Sequence, residues 1–201
     1  MNPASAASPA QTRVLAPVRS VTFRDAAIRN AAAIVIGSLF VAACAQISIP
    51  LWFTPVPITL QPFAVLLLGL LLSPEIAAAA LAAYLVEGAV GLPVFTPHSP
   101  SGLLHLLGPT GGYLLSYPFV AALTAWLRRR FANPGFVASL AAAATGSLVI
   151  LLCGAAWFAV LTHRPVSAIL TLSILPFLPG DILKVASAAG IATGMRRFRR
   201  S

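Results

Sequence analysis

Charged side chains are scarce in this 201-residue chain, which holds 13 basic and 4 acidic residues, or 8% of the total. Soluble domains carry about 25% charged residues. Because 59% of the residues are hydrophobic, a soluble fold would leave too much apolar surface in water. The apolar runs are continuous rather than alternating, which indicates helical spans. We therefore predict an all-α membrane protein with no second soluble domain.

Cysteine is nearly absent, and its two occurrences, Cys44 and Cys153, lie inside apolar runs. This spacing excludes a disulfide framework or a cysteine metal site and favours small apolar core residues. Residues 41–44, Val-Ala-Ala-Cys, do resemble a bacterial lipoprotein cleavage box, under which residues 1–43 would be a signal peptide. The long hydrophobic sequence after Cys44 disfavours that alternative, because mature lipoproteins continue in polar sequence.

Sets of catalytic residues are also missing. No glycine loop with a lysine is present to cradle phosphates, so any energy from ATP must come from other subunits. Pro179-Gly180-Asp181 resembles an intramembrane aspartate protease motif, but that chemistry needs a second intramembrane aspartate. His98 and His105 flank Pro100, a spacing that disfavours zinc and favours histidines of a loop at the outer surface. We therefore predict no enzyme, no metal and no cofactor.

Six apolar segments are long enough, with their flanking residues, to predict six transmembrane helices. Their approximate ranges are 31–49, 61–72, 75–90, 111–127, 136–161 and 179–195. Ser73 is expected to cap the third helix. Three stretches, 50–60, 88–112 and 162–178, lie between these segments. The first two are rich in proline or glycine. The third carries a short apolar segment, at 166–175, that predicts an interfacial helix. We expect the first of these stretches to be an irregular loop.

The arginines predict the orientation in the membrane. Eleven of the twelve lie before the first span, between the fourth and fifth, or after the sixth, and Arg164 alone falls on the other side. Basic residues concentrate in cytoplasmic loops, so both termini are predicted to be cytoplasmic and the three irregular loops outward-facing. The same clustering indicates topology signals and no nucleic-acid surface, despite the net charge of +9. The predicted organisation is a cytoplasmic tail at 1–29, a six-helix transmembrane domain at 30–197 and a basic tail at 198–201.

An acid and the only lysine lie within the last apolar segment. Asp181 and Lys184 are three residues apart, so they share one helix face, although each charge at mid-bilayer costs about 2.5–3.5 kcal/mol. We favour a pair that binds a polar ligand in an outward cavity; alternatively Asp181 caps its helix and Lys184 neutralises it. Glu87, near the outer end of the third span, has four open roles: pairing with Lys184, capping a loop amide, protonation, or ligand binding.

Five short motifs follow one another along the chain after residue 30. They are Cys-Ala-Gln-Ile-Ser-Ile-Pro at 44–50, Pro-Val-Pro-Ile-Thr-Leu-Gln at 55–61, Gly-Leu-Pro-Val-Phe at 91–95, Gly-Pro-Thr-Gly-Gly-Tyr at 108–113 and Pro-Phe-Leu-Pro-Gly-Asp-Ile-Leu-Lys at 176–184. In this order and spacing the chain resembles the BioY family, the biotin-specific substrate-binding (S) components of energy-coupling-factor (ECF) transporters.

The resemblance implies a multi-pass protein of the prokaryotic plasma (inner) membrane. It would bind biotin with high affinity in a cavity that faces the outer side of the lipid bilayer. The resemblance also implies partners, a transmembrane coupling subunit and ATPase subunits, because the S component has no ATPase of its own. The family's intramembrane aspartate and lysine match Asp181 and Lys184. A third-span position that is often an amide in the family falls near Glu87, where this chain departs from the pattern. The alternative is an S component for a different small vitamin or metabolite.

Biotin's chemistry suits these residues. Its ureido ring offers two N–H donors and one carbonyl acceptor, so Asp181 can accept and Lys184 can donate charge-assisted hydrogen bonds. Gln61 and Thr110 are candidates for neutral hydrogen bonds. The thioether ring and alkyl chain suit aromatic loop residues, namely Trp52, Phe53, Phe95 and Tyr113. The loop at 96–102 holds no arginine for the vitamin's carboxylate.

The first span carries small residues at helical spacing, Ala27 with Ala31 and Ala33 with Gly37. Small residues let helices approach closely in membranes. By analogy with related systems, this face is a candidate docking surface for the coupling subunit, although an alanine-rich chain also produces such spacings by chance.

Overall fold

The computed structural model describes residues 23–97, 102–131 and 134–198, and within these ranges the chain forms eight helices and one two-stranded sheet. In chain order the elements are α1 (Phe23–Gln46), β1 (Ser48–Leu51), β2 (Thr54–Thr59), α2 (Gln61–Leu71), α3 (Pro74–Ala89), α4 (Leu103–Leu107), α5 (Gly111–Arg129), α6 (Phe136–Thr162), α7 (Val166–Ser173) and α8 (Leu178–Phe198).

The helix boundaries follow local signals in the sequence. Ser73 accepts a hydrogen bond from the Ile76 amide and caps α3, as predicted. A helix, α7, is present where a short apolar helix was predicted near 166–175, whereas the short helix α4 was not predicted. α1 begins at Phe23, so residues 23–29 of the predicted tail are helical. Residues 1–22 and 199–201, the rest of both predicted tails, lie outside the described residues, as does His98.

The prediction of an irregular loop at 50–60 is wrong, because this stretch contributes to a β-hairpin. Strands β1 and β2 pair antiparallel, with Ser48 opposite Thr59 and Ile49 opposite Ile58. The register shifts between Ile49 and Leu51, at Pro50. Proline has no N–H for a ladder but is tolerated at bulges and in edge strands, and both strands of a two-stranded sheet are edges.

Helix α5 lies at the centre of the bundle, where it packs against α2, α3 and α6. Tyr84, Phe158 and Leu66 are among the largest side chains buried in this core. Gly112 permits the close approach of α5 to α6, since a Cβ atom there would lie 2.2 Å from the Cβ of Trp157. The tight contact holds α5 in place beneath the hairpin.

Hydrogen bonds bring the basic ends of α5 and α8 together with the start of α6. Arg128 of α5 donates to the Ala192 carbonyl of α8 at 3.3 Å, and Arg196 of α8 donates to the Pro134 carbonyl before α6 at 3.2 Å. The end of the bundle that carries Arg128, Arg129 and Arg196 is here termed the arginine end. Asp181 and Lys184 lie near the start of α8 and therefore at the opposite end.

Helix α1 runs in the same direction as α3. Gly37 packs against Ala80, and at the end of α1 the Gln46 side-chain amide donates at 3.0 Å to the carbonyl of Phe95, which follows α3. The start of α1, which carries Arg24, therefore lies on the same side of the bundle as the start of α3.

Two described helices, α1 and α6, are long and apolar enough to cross a membrane unaided. The bent pair α7–α8, with 50° between its parts, provides a third candidate if the two form one broken span. Large apolar side chains such as Leu148 and Ile182 are exposed on these helices. A surface of this kind suits lipid tails and is unsuited to water.

Candidate functional site

Two neighbouring cavities lie beneath the hairpin, at the end opposite the arginines. The inner cavity, of about 40 Å³, is lined by residues that include Asp181 and Lys184. The outer cavity, of about 590 Å³, lies between the hairpin and α4. Their linings share four residues, Pro57, Thr96, His105 and Thr110. The outer cavity is therefore much the larger of the two.

The two charges of α8 form an ion pair in the wall of the inner cavity. The Lys184 Nζ lies 3.1 Å from the Asp181 Oδ1, and the residues are 9% and 7% exposed. A lysine ammonium has three donors, and within the described ranges the Asp181 carboxylate is its hydrogen-bond acceptor. Because both side chains also line the cavity, the pair presents an acceptor and a donor to the same small space.

Ser147 is a site residue that the sequence analysis missed. Its hydroxyl donates to the Asp181 Oδ2 at 3.0 Å from α6. The second carboxylate oxygen is thereby satisfied, which fixes the orientation of the acid without adding charge. The available signal was a small polar run, Thr145-Gly146-Ser147, inside an otherwise apolar helix.

Tyr113, in the first turn of α5, also lines the inner cavity. Its hydroxyl donates to the Ser173 carbonyl at 2.6 Å. Its ring packs directly against Gly154, where an added Cβ would lie 2.2 Å from the ring, and Phe177 is 6.2 Å away between ring centroids. With its hydroxyl engaged by the backbone, Tyr113 offers mainly its ring to a ligand.

A column of rings separates α3 from the cavities. Phe95 stacks on His105 at 4.7 Å between centroids and meets Tyr84 edge-on at 5.4 Å. Gly88 makes room for the Phe95 ring, since a Cβ there would lie 2.0 Å from its Cζ. The Gln61 amide donates to the Tyr84 hydroxyl, which joins the column to the inner cavity.

His105 corrects the prediction of a surface loop histidine. It belongs to α4 and is 4% exposed. Its Nε2 lies 3.5 Å from the Thr110 hydroxyl, and both residues line the two cavities. The imidazole thus lies where the two cavities adjoin.

The structure brings together five of the eight predicted site residues and separates the other three. The inner cavity is lined by Asp181, Lys184, Gln61, Tyr113 and Thr110. Phe95 lies one layer behind, against His105.

Glu87 and Trp52 lie away from both cavities. Glu87 accepts a hydrogen bond from the buried Ser38 hydroxyl of α1, so it faces the α1–α3 contact. Trp52, at the hairpin tip, is 96% exposed and touches Phe53 edge-on at 5.4 Å between centroids. The positions of these two side chains do not support the predicted ligand contacts.

The arrangement suits the binding of a small molecule that carries both hydrogen-bond donors and acceptors. A fixed carboxylate and an adjacent ammonium supply orientation, and the tyrosine and phenylalanine rings supply apolar contact. Among the described residues, no group of three His, Cys, Asp or Glu side chains is placed to hold a metal ion.

Comparison with known proteins identifies the relatives of this chain. A model of the BioY family matches residues 13–201. A protein of Pyrococcus horikoshii described as a probable biotin transporter BioY is 41% identical over 158 residues, which are 77% of this chain and 90% of that protein. A biotin transporter BioY of Thermotoga maritima is 35% identical over 154 residues, or 77% of this chain and 88% of that protein.

A solved structure has the same fold. It is a crystal structure of the S-component for biotin from an ECF-type ABC transporter, with a TM-score of 0.81 and 25% sequence identity. The match covers 88% of this chain and 95% of that chain.

Proposed function

The chain belongs to the BioY family, and from that premise we propose that it captures biotin as the substrate-binding component of an ECF-type vitamin transporter. The observation that carries the assignment of the site is the buried Asp181–Lys184 pair in the wall of the inner cavity. Desolvation offsets much of the attraction within a buried ion pair, so such a pair is weak evidence for a stabilising role. Its exposure to the cavity suits the binding of a polar heterocycle.

The proposed contacts follow from the hydrogen-bonding groups of the ureido ring. The Asp181 carboxylate accepts from a ring N–H, and Lys184 donates one of its remaining N–H groups to the ring carbonyl. Tyr113 and Phe177 lie against the apolar part of the bicycle. Charge-assisted bonds in a dry site are the strong kind, so nanomolar affinity, about −12 kcal/mol, is attainable.

A bicyclic ligand that reaches Asp181 would occupy space from both cavities. Ligand pockets usually measure about 300–1,000 Å³, a range that includes the outer cavity and excludes the inner one. We infer that the four shared lining residues move apart when the ring reaches Asp181. The hairpin is held over the site by a hydrogen bond from the Thr54 hydroxyl to the Leu172 carbonyl, at 2.8 Å, and this bond is a candidate for breaking on opening.

We propose six spans, made by α1, α2, α3, α5, α6 and α8, in a prokaryotic plasma membrane. Helix α2 has 11 residues, about 16 Å at 1.5 Å per residue, so it cannot cross alone and needs its flanking chain. The arginine end would face the cytoplasm under the positive-inside rule. Both termini then lie inside, and the cavities open outward.

Partner subunits belong to the same proposal. A transmembrane coupling subunit and ATPase subunits would supply the energy, and α1 is the proposed docking helix because its long apolar face is largely exposed. Ala27 and Ala31 are exposed there. Gly37 is not available for docking, since it is buried against Ala80 of α3, so the docking face is the other side of α1.

Biotin titration of the full-length protein in detergent tests the proposed function. We expect a dissociation constant in the nanomolar range for the unchanged chain and a loss of on the order of 100-fold or more in Asp181→Asn, which keeps the shape but removes the charge-assisted acceptor. Arg164→Gln, an exposed charge change outside both cavities, is the matched control and should bind as the unchanged chain does.

Three results would overturn parts of the proposal. Millimolar biotin binding, unaffected by Asp181→Asn, rejects the site and the function. Displacement of radiolabelled biotin by thiamine or riboflavin at lower concentration than by biotin reassigns the ligand to another vitamin. Absence of uptake in a biotin-auxotrophic host, with coupling subunits co-expressed and the protein present in the membrane, rejects the transport role.

A further inference from the structure

A third cavity lies at the arginine end, remote from the proposed biotin site. It measures about 380 Å³ and is lined by three guanidinium groups, those of Arg128, Arg129 and Arg196. Its other walls are mostly apolar and include Leu71, Leu72 and Phe131. None of the lining residues is acidic. The cavity therefore concentrates positive charge beside an apolar surface.

Arg128 is fixed in this cavity with a donor to spare. One of its terminal N–H groups donates to the Ala192 carbonyl at 3.3 Å, while its Nε is buried and has no acceptor among the described residues. A buried donor without an acceptor costs about 1–3 kcal/mol. An acceptor that enters the cavity from outside the chain would remove that cost.

The charges of Arg128 and Arg196 also repel each other across this space. The two guanidinium groups carry like charges and line the same cavity, and each donates a hydrogen bond to a backbone carbonyl. Glu75 interacts electrostatically with Arg129, but it is exposed and outside the lining. A bound anion would relieve the repulsion between the two.

We propose that this cavity binds the phosphate group of an anionic phospholipid. Phosphate oxygens accept from planar guanidinium donors, often two at a time. The apolar wall formed by Leu71, Leu72 and Phe131 gives the first carbons of the acyl chains a surface that a free phosphate ion would not use. Basic pockets between transmembrane helices on the cytoplasmic side are typical sites for such head groups. The assignment of this site to the cytoplasmic leaflet rests on the proposed orientation, but the binding chemistry does not.

Native mass spectrometry of the full-length protein in a neutral detergent tests the proposal. We expect retention of phosphatidylglycerol in preference to phosphatidylcholine of the same acyl chains. In Arg128→Gln/Arg196→Gln, affinity for phosphatidylglycerol should fall about 30-fold, if each basic residue contributes the factor of about five typical at an anionic membrane surface. Arg24→Gln/Arg29→Gln removes the same charge from exposed positions of α1 and should keep the preference.

The outcomes separate this site from the biotin site and from other anions. Equal retention of both lipids by the unchanged chain, or equal phosphatidylglycerol affinity in the double variant and its control, overturns the proposal. Inorganic phosphate that displaces the lipid at micromolar concentration reassigns the cavity to a free anion and overturns the lipid assignment. Arg129→Gln, at the exposed rim, should weaken lipid binding about fivefold and keeps the test open if the double variant does not fold. Biotin titration, read in parallel, should not change.

Discussion

The two ends of the bundle differ in how the charges inside this apolar protein are compensated. Near the start of α8, Asp181 and Lys184 neutralise each other at 3.1 Å, and Ser147 satisfies the second carboxylate oxygen. At the arginine end, Arg128, Arg129 and Arg196 line a cavity without an acid in its lining. The first end holds a compensated ion pair. At the second, the Arg128 Nε has no hydrogen-bond acceptor among the described residues.

The difference shows which kind of partner each end can accept. A balanced pair loses little by exchanging its own contact for a neutral ligand that has both donors and acceptors. An excess of positive charge favours an anion. The comparison therefore predicts that removing one charge has a large effect at the pair and a small one at the rim of the arginine end.

Lys184→Met should produce the largest effect, because it leaves the Asp181 carboxylate buried without its counter-ion. Removing one partner of a buried pair costs about 3–5 kcal/mol, and biotin binding should be lost as well. Reversible unfolding in mixed micelles measures the stability. The double variant Asp181→Asn/Lys184→Met should recover most of the stability without the binding, and Arg129→Gln should change stability by less than about 0.5 kcal/mol. Equal losses of stability in Lys184→Met and Arg129→Gln would contradict the predicted difference between the two ends.

Ser147→Ala should weaken biotin binding about tenfold or more, since a hydrogen bond to a charged group contributes about 1.5–3 kcal/mol. The loss arises because Asp181 would no longer be held in one orientation. Calorimetric titration measures it. Ser187→Ala removes a hydroxyl from an exposed position of the same helix as Asp181 and serves as the matched control. Unchanged affinity in Ser147→Ala would show that Lys184 alone orients the acid.

Gly88→Ala tests how far the ring column supports His105, which lines both cavities. The new Cβ would lie 2.0 Å from the Phe95 Cζ, and overpacking of this kind costs about 1–3 kcal/mol. Because Phe95 stacks on His105, we expect both lower thermal stability and weaker biotin binding. Gly190→Ala, with nothing within 4 Å of the new Cβ, should be neutral. A neutral Gly88→Ala would mean that the column moves freely.

Trp52→Ala should have the smallest effect on biotin binding at the end of the bundle that carries Asp181 and Lys184. Its side chain is 96% exposed and lines neither cavity, so biotin affinity should change by no more than about twofold. A titration of the variant beside the unchanged chain measures it. A tenfold loss would show that the hairpin tip folds onto the bound vitamin, and it would return Trp52 to the site.

The sequence predicted the helices better than it predicted the hairpin or the full set of site contacts. Ser73 and the glycines and prolines at the helix ends act locally, so their effects can be read from neighbouring residues. The hydrogen bond from Ser147 to Asp181 joins residues 34 apart, and only the packing of α6 against α8 creates it.

Trp52 and Glu87 also show that contacts set by tertiary structure cannot be predicted from the sequence. Both have the chemistry of a ligand contact, but the direction of each side chain is set by tertiary structure. The hairpin turn points Trp52 outward, and the parallel packing of α1 on α3 gives Glu87 the Ser38 hydroxyl as a partner. Neither direction follows from residue type or spacing.

A structure of the protein with biotin bound tests the central claim most directly. The account predicts ureido atoms within about 3.2 Å of both the Asp181 carboxylate and the Lys184 ammonium, with the inner and outer cavities joined. Biotin bound elsewhere, while the Asp181–Lys184 contact stays at 3.1 Å, would contradict it.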